Sequence, residues 1–443
     1  MQLVICGFGS AGYSAMMTLK RLNPKAQITI VDPKKSDLVH PCGLPYALEG
    51  IVEKESLAHN IDLVRMGVLK KTGKCSDISP LSKTLKINTD TGVEEIKYDK
   101  LLISTGYKAL MPPVENLEKH IDKSLFTLAG NGDLEKISSR LKNSSKAVVI
   151  GAGAIGLETA FALKKHLDEV TIIEKQNQIL FNTLDPDMSA IVETFLVANG
   201  IKLIKGSSAD RFNGEEKLLS VTCDSSEIEA DLGVLASGFV PNIAAIKNSG
   251  IKTESQGIVV NRFLETSEKD IYAAGDCISG WWVIDGSPSK GKLATSAYKQ
   301  GTVAAMNMMG KETDYKGSAG TFVTRIGNIE IAGTGFTFET AVQKGYKPVA
   351  GKITSHILPE YFPNNSQITI KIIFDGNTGK ILGGQAIGEK GAAERINIIS
   401  TAIEFNISIE ELGRTELAYC PAVSEVYDPL LRAIDFGLRR MKK

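Results

Sequence analysis

Two glycine clusters are the first residues in this chain whose types and spacing could do chemistry. Gly7-Phe8-Gly9-Ser10-Ala11-Gly12 follows the apolar run Leu3-Val4-Ile5. Gly151-Ala152-Gly153-Ala154-Ile155-Gly156 follows Ala147-Val148-Val149-Ile150. Glycines at these intervals let a backbone turn tightly and approach a pyrophosphate, which rests on the free N–H groups of the helix that follows. Each cluster leads into a helical stretch, Tyr13 to Leu22 and Leu157 to Leu167. Each helix is followed by a second apolar strand that ends in an acid: Asp32, 20 residues past Gly12, and Glu174, 18 residues past Gly156. An acid at that distance accepts hydrogen bonds from an adenosine ribose. One glycine loop alone is weak evidence. Strand, loop, helix, strand and acid, met twice in one chain, predict two dinucleotide sites. Glu174 would repel a 2′-phosphate and so favours NADH over NADPH, a preference that the adjacent Lys175 would soften.

The elements that must position these loops are those of an α/β fold. Three more apolar strands end in glycine turns. They are Leu101-Leu102-Ile103-Ser104-Thr105-Gly106, Gly233 to Gly238 ahead of Phe239-Val240-Pro241-Asn242, and Ile271-Tyr272-Ala273-Ala274-Gly275-Asp276. Asp276 stands at a strand's carboxyl end, where it can bind a polar cofactor chain. At 443 residues the chain exceeds one core and predicts two or three domains. Apolar residues make up 43% and charged residues 23%, and the formal net charge is zero. That balance argues against a nucleic-acid or membrane partner held by long-range charge. The tail Arg439-Arg440-Met441-Lys442-Lys443 reads as a solvated end. No apolar run reaches a membrane span's roughly 18–20 residues. The first apolar run lacks a basic leader, so it reads as a buried strand and the protein as cytoplasmic. The six cysteines, Cys6, Cys42, Cys75, Cys223, Cys277 and Cys420, show no C-x-x-C and no metal-ligand spacing, so no metal is expected.

In this order, the five glycine-ended segments resemble the pyridine nucleotide–disulfide oxidoreductase superfamily over the whole chain. The resemblance implies two Rossmann-like domains and an α+β C-terminal dimerisation domain. It places an FAD-binding domain in two parts, 1–112 and 246–319, with an NAD(P)H-binding domain inserted at 113–245. Residues 320–443 would form a homodimer. FAD would be held by Gly7, Gly9, Ser10, Ala11, Gly12, Asp32, Pro41, Thr105, Gly106, Gly275, Asp276, Leu293 and Ala294. The nicotinamide dinucleotide would be held by Gly151, Gly153, Ile155, Gly156, Glu158, Glu174 and Gly238.

The segment His40-Pro41-Cys42-Gly43-Leu44-Pro45-Tyr46 narrows the resemblance. Relatives with a catalytic disulfide carry two cysteines here, and this chain has one. It is similar to the single-cysteine branch, which contains coenzyme A-disulfide reductases, persulfide and polysulfide reductases, and NADH oxidases and peroxidases. The Pro-Cys-Gly-x-Pro-Tyr pattern is most similar to archaeal-type coenzyme A-disulfide reductases. Gly43 and Pro45 allow a sharp turn into a helix. A thiolate at that helix's N-terminus would be stabilised, so the Cys42 pKa is expected below its ordinary value. Cys42 would then attack a disulfide and be released by flavin electrons.

The resemblance also implies a role for Tyr419, which in relatives reaches the partner subunit's cysteine. Oxidases usually carry a histidine where this chain has Ser10, which leans the reading towards disulfide or persulfide reduction. An NADH oxidase or peroxidase working through a Cys42 sulfenic acid stays open, as does a flavin-bound redox sensor. Lys20 and Arg21 match a basic pair that holds coenzyme A phosphates in relatives, but they also fit solvated helix-end charges. His40 could assist Cys42 or simply hold its loop. A second interface tyrosine would fall at Phe362, beside Tyr361, so its hydroxyl is expected to be missing. Cys420, next to Tyr419, could serve as a resolving thiol across the interface.

Overall fold

A computed structural model describes residues 1–289 and 291–441. Lys442 and Lys443 of the basic tail therefore lie outside the described residues, while Arg439 and Arg440 end the last helix, Pro429–Met441.

The apolar run at the N-terminus is a central strand. Gln2–Cys6 pairs in parallel with Gln27–Asp32 on one side and Lys100–Ile103 on the other. Val68–Thr72 and Ile271–Ala273 complete the five-stranded parallel sheet at its two edges. Leu3, Val4 and Ile5 are fully buried, as a strand covered on both faces requires. The second glycine loop stands on a second parallel sheet, in the order Leu125–Thr127, Leu232–Leu235, Lys146–Ile150, Glu169–Glu174, Ile201–Lys205. A third sheet is antiparallel. Its order is Phe322–Ile326, Ile329–Gly335, Ile381–Gly388, Gln367–Asp375, Pro348–His356. Helices Ala392–Glu404 and Pro429–Met441 bury apolar side chains in the same core as this sheet. The architecture is thus two Rossmann-like α/β units and an α+β unit.

The glycine loops begin their helices where the pattern requires, one turn earlier than periodicity alone suggested. The helices run Ser10–Leu22 and Ala154–Lys164. Gly7 has φ +102° and Gly151 φ +108°, a region in which only glycine is at ease. A Cβ on Gly12 would stand 2.1 Å from the Gly7 carbonyl oxygen, and one on Gly156 would stand 2.0 Å from that of Gly151. Helix Ala294–Met308 crosses the first helix just as closely, because a Cβ on Gly301 would lie 2.1 Å from the Ala11 carbonyl oxygen. Leu293 and Ala294, at the start of that helix, line a cavity together with Cys42.

Two junctions tie the units together. Tyr107–Ala109 pairs with Phe239–Pro241, and the Tyr107 and Phe239 rings lie 4.1 Å apart. Beside them, the Thr105 hydroxyl donates to the Asn242 carbonyl at 2.6 Å. At the second junction, Asp185 caps helix Pro186–Ala198 and receives Lys371 at 2.8 Å and Gln385 Nε2 at 2.9 Å from the antiparallel sheet. Among the described residues no helix is long and apolar enough to cross a membrane, and no three His, Cys, Asp or Glu side chains are grouped to hold a metal.

The segment that carries Tyr419 is anchored by a buried ion pair. Arg395 on helix Ala392–Glu404 donates to Asp428 at 2.8 Å, and both side chains are about nine-tenths buried. Asp428 also accepts from the Leu430 N–H at 2.8 Å, at the start of the last helix. Removing one partner strands the other charge away from water. Asp428→Ala is therefore expected to cost about 3–5 kcal/mol of stability. Urea unfolding measures it, and a midpoint equal to that of the unsubstituted protein would show that the pair anchors nothing.

Candidate functional site

Cys42 sits in a short turn, Pro41–Gly43, that runs directly into helix Leu44–Glu49. The turn exists because the sequence offers proline at its start and glycine at its end, and buried Leu44, Pro45 and Leu48 then hold the helix down. That helix packs on helix Ala154–Lys164 of the second dinucleotide unit. It is pinned at its far end, where His166 Nε2 lies 2.8 Å from the Leu48 carbonyl oxygen. Cys42 opens on a cavity of about 430 Å³. Leu293, Ala294 and Ser296 form one wall, Ser318, Thr321 and Phe322 another, and Asn397 and Ser400 a third. Two hydroxyls of these walls are joined, with Thr321 2.6 Å from Ser400, and behind the wall Thr321 lies 2.8 Å from Thr334.

The electrostatics around Cys42 correct the expectation from sequence. The thiol is pushed up from its ordinary value, not down. Burial is the main cause, followed by the negative charges of Glu158 and Asp276. The residue is exposed to the cleft, yet the protein around it still desolvates a thiolate. The helix behind Cys42 has only six residues, too short for its dipole to outweigh two carboxylates and desolvation.

Both carboxylates are themselves pushed up by burial. Glu158 Oε1 accepts from the Thr324 hydroxyl and, at 3.3 Å, from the Tyr46 hydroxyl. The Tyr46 phenol is raised to about 12, by burial first and then by Glu158. Tyr107 is likewise raised to about 12, by burial, Asp276 and Cys42 in turn, which places these three groups in one neighbourhood.

Do the residues fit two dinucleotides? Gly9 and Gly153, the middle glycines of the two loops, are exposed and face open space, where a Cβ would meet nothing within 4 Å. That is the free backbone a pyrophosphate needs. Ser10 and Ile155 flank this space at the helix starts, Ser10 exposed and Ile155 half-buried. Asp32 receives the Phe8 N–H at 2.6 Å and the Lys34 ammonium at 2.6 Å. Glu174 receives the Ala152 N–H at 2.7 Å and the Gln176 N–H at 2.8 Å. Each acid thus braces the loop whose ligand it would also bind. Asp276 accepts no hydrogen bond from the described residues, and only the charge of Lys292 offsets its burial. A half-buried acid left without a donor suits a polyhydroxyl chain. Thr105, Gly106 and Gly275 follow neighbouring strands of the same sheet, and Gly238 follows a strand of the second sheet. Gly106, Gly238 and Gly275 all have positive φ, and the Gly275 N–H donates to Gln300 at 2.7 Å. The residues present therefore fit FAD at the first loop and a nicotinamide dinucleotide at the second.

Other sequence candidates are not brought to Cys42 within one chain. Tyr419, Tyr361 and Cys420 do not line its cavity. Tyr419 and Tyr361 meet each other instead, both exposed, and the Tyr361 side chain pushes the Tyr419 phenol up. Phe362 packs against the C-terminal core, and Tyr361, pointing outward, supplies the phenol beside Tyr419. Lys20 is committed to three carbonyls, those of Pro24, Ala26 and Gly67, at 3.3, 2.9 and 3.2 Å, which favours its helix-end reading. Arg21 is exposed at the same helix end. His40 packs edge-on against His59, with ring centres 5.1 Å apart. Sequence reasoning gave no role to Tyr46, Thr324 or Tyr107; Glu158 lies 112 residues from Tyr46 and 166 from Thr324, and Tyr107 meets Cys42 and Asp276 only through the fold. It gave no role to Lys292, whose ammonium is held by the Gln256 and Ile278 carbonyls and acts on Asp276.

Comparison with known proteins agrees with this geometry. The family model described as pyridine nucleotide-disulphide oxidoreductase matches residues 1–301, and the dimerisation domain of the same family matches residues 322–430. A protein named NADH oxidase from Methanocaldococcus jannaschii is 32% identical over 100% of this chain and 99% of its own length. A protein named NAD(P)H sulfur oxidoreductase (CoA-dependent), from Pyrococcus furiosus, is 31% identical over 97% of each chain. The solved structure of a NAD-dependent persulfide reductase from A. fulgidus superposes with TM-score 0.94 at 29% identity, over all of this chain and 84% of that one. The chain belongs to the pyridine nucleotide-disulphide oxidoreductase family, whose members use FAD and NAD(P)H.

Proposed function

We propose that this protein is an FAD-dependent NAD(P)H oxidoreductase that reduces a low-molecular-weight disulfide or persulfide through Cys42. The observation that carries the reading is an accessible cysteine at the edge of a cavity, in a turn whose following helix packs on the helix of the second glycine loop and whose thiol feels both Glu158 and Asp276. The names of the Pyrococcus furiosus and A. fulgidus relatives support the same chemistry. When bound, the flavin supplies the hydride chemistry that links NAD(P)H to the cysteine. Cys42 attacks one sulfur of the acceptor, forms a mixed disulfide and releases the first thiol. Two electrons and a proton then cleave that bond, returning the Cys42 thiolate and the second thiol.

The remaining assignments follow from this reading. Coenzyme A disulfide, coenzyme A persulfide or polysulfide is the acceptor, with Arg21 as a phosphate partner. Glu174 favours NADH. The protein works as a homodimer in which Tyr419 and Tyr361 of one chain serve the other chain's Cys42. Their exposure on the C-terminal unit supports that arrangement. The division into 1–112, 113–245, 246–319 and 320–443 is supported by strand Ile271–Ala273 rejoining the first sheet after the second sheet's strands have passed. Free thiols exposed at Cys42 and Cys420 suit a reducing, cytoplasmic setting. The second reading, an NADH oxidase, is favoured by the name of the Methanocaldococcus jannaschii relative.

Anaerobic spectroscopy of the wild type and Cys42→Ser tests this. NADH should bleach the flavin in both proteins, and coenzyme A disulfide or persulfide should restore the colour only in the wild type. Restoration by oxygen alone would establish the oxidase instead, and equal recovery in Cys42→Ser would remove the cysteine from the reaction.

The raised thiol gives a second test. A raised pKa leaves less thiolate at a given pH, so alkylation of Cys42 should climb only above the ordinary thiol range. Glu158→Gln removes a negative charge that opposes the thiolate, and its alkylation profile should move to lower pH. The mass of the Cys42 peptide after timed iodoacetamide treatment reads this out. A profile that stays in place would mean that the sulfur does not feel Glu158.

A further inference from the structure

The Tyr46 hydroxyl lies between two acceptors on different elements, 3.3 Å from Glu158 Oε1 and 3.2 Å from the Arg325 carbonyl oxygen. The Thr324 hydroxyl binds the same Glu158 oxygen. Three parts of the chain therefore meet at one carboxylate. Tyr46 comes from the helix that follows Cys42. Glu158 comes from the helix that the second glycine loop opens. Thr324 comes from the first strand of the antiparallel sheet. Burial opposes the Glu158 charge and the two hydroxyls favour it, while no cation contributes. Oε1 is thus fixed by two donors, and Oε2 is engaged by none of the described residues.

A carboxylate held in this way can act on a nicotinamide. When NADH gives up a hydride, its ring passes from neutral to positively charged. A fixed negative charge nearby favours the charged ring and therefore the transition state that leads to it. Such a charge helps only if it is held in place beforehand, which is what two donors on one oxygen achieve.

We infer that Tyr46 and Thr324 are positioning residues for hydride transfer from NADH: they fix the Glu158 carboxylate, and Tyr46 ties it to the helix that carries Cys42. The inference rests on the reading of the protein as an NAD(P)H oxidoreductase given above. While Glu158 stays ionised, its consequences are confined to the half-reaction in which NADH is consumed. Tyr46 has a single proton to donate, so loss of the Glu158 charge leaves the Arg325 carbonyl as its acceptor. The groups facing Glu158 are the Tyr46 phenol on the cysteine helix, the Thr324 hydroxyl on the strand, and the Cys42 thiol, on which its charge acts. The Arg325 guanidinium is turned away to the Gly327 carbonyl.

Stopped-flow measurement of the two half-reactions of the holoenzyme tests the inference. Flavin reduction by NADH should slow about tenfold in Tyr46→Phe and in Thr324→Val, equivalent to about 1.4 kcal/mol of barrier. Reoxidation by coenzyme A disulfide should stay as in the wild type. Thr324→Ser, which keeps the hydroxyl, should restore the rate. The hydroxyls favour the ionised form of Glu158, so losing one should raise the carboxyl's pKa. The acid limb of the reduction rate should then move to higher pH, a shift that mere loosening of the helix would not produce. Unchanged reduction rates and acid limbs in both variants would overturn the inference, as would equal slowing of both half-reactions. A wild type whose flavin NADH cannot reduce would instead overturn the functional reading beneath it.

Discussion

At Gly12, and again at Gly156, a backbone carbonyl oxygen occupies the space that any side chain would need, 2.1 Å and 2.0 Å from where a Cβ would stand. Everything else in the molecule is arranged around these two contacts. They allow a helix to begin hard against the end of a parallel strand, with its free N–H groups facing the open side of the loop. They also leave Gly9 and Gly153 with nothing in front of them. The acids at Asp32 and Glu174 then close each loop by accepting the N–H of Phe8 or Ala152. One device, built twice, makes two sites for pyrophosphates.

The two sites matter because the chain folds them towards one cysteine. Helix Leu44–Glu49 leaves the first unit and lies on helix Ala154–Lys164 of the second, held by Tyr46 at one end and His166 at the other. Helix Ala294–Met308 crosses the first glycine helix and presents its start to the Cys42 cavity. The antiparallel sheet adds Thr324 and the cavity walls at Thr321 and Phe322. No unit alone contains the whole site.

The charge balance at the centre is unusual for a nucleophilic thiol. Glu158 and Asp276 both oppose the Cys42 thiolate, and burial opposes all three charged forms. A thiol in such surroundings keeps its proton until something nearby favours its ionisation. A bound cofactor or substrate that brings positive charge or a donor there would therefore share in setting its reactivity. The Lys292 ammonium, held by backbone carbonyls, is the one cation that acts on Asp276 among the described residues.

Much of this was legible in the amino-acid sequence. Glycine spacing, apolar strands and their terminal acids are local signals, because a tight turn and a buried parallel strand depend on neighbours along the chain. They marked both loops, the acids and the strands that carry Thr105, Gly238 and Asp276. The cysteine segment was legible for the same reason. What tertiary structure alone decided were the contacts between residues far apart. It set the direction of the Cys42 pKa, because Glu158 lies 116 residues away and Asp276 lies 234 away. It put Phe362 in the core and Tyr361 beside Tyr419, since which of two adjacent side chains turns outward depends on what the loop packs against. It spent Lys20 on three carbonyls and made Tyr46 and Thr324 the holders of Glu158. Spacing along a chain constrains the backbone, whereas the charge a group carries is set by whatever the fold brings within a few ångströms.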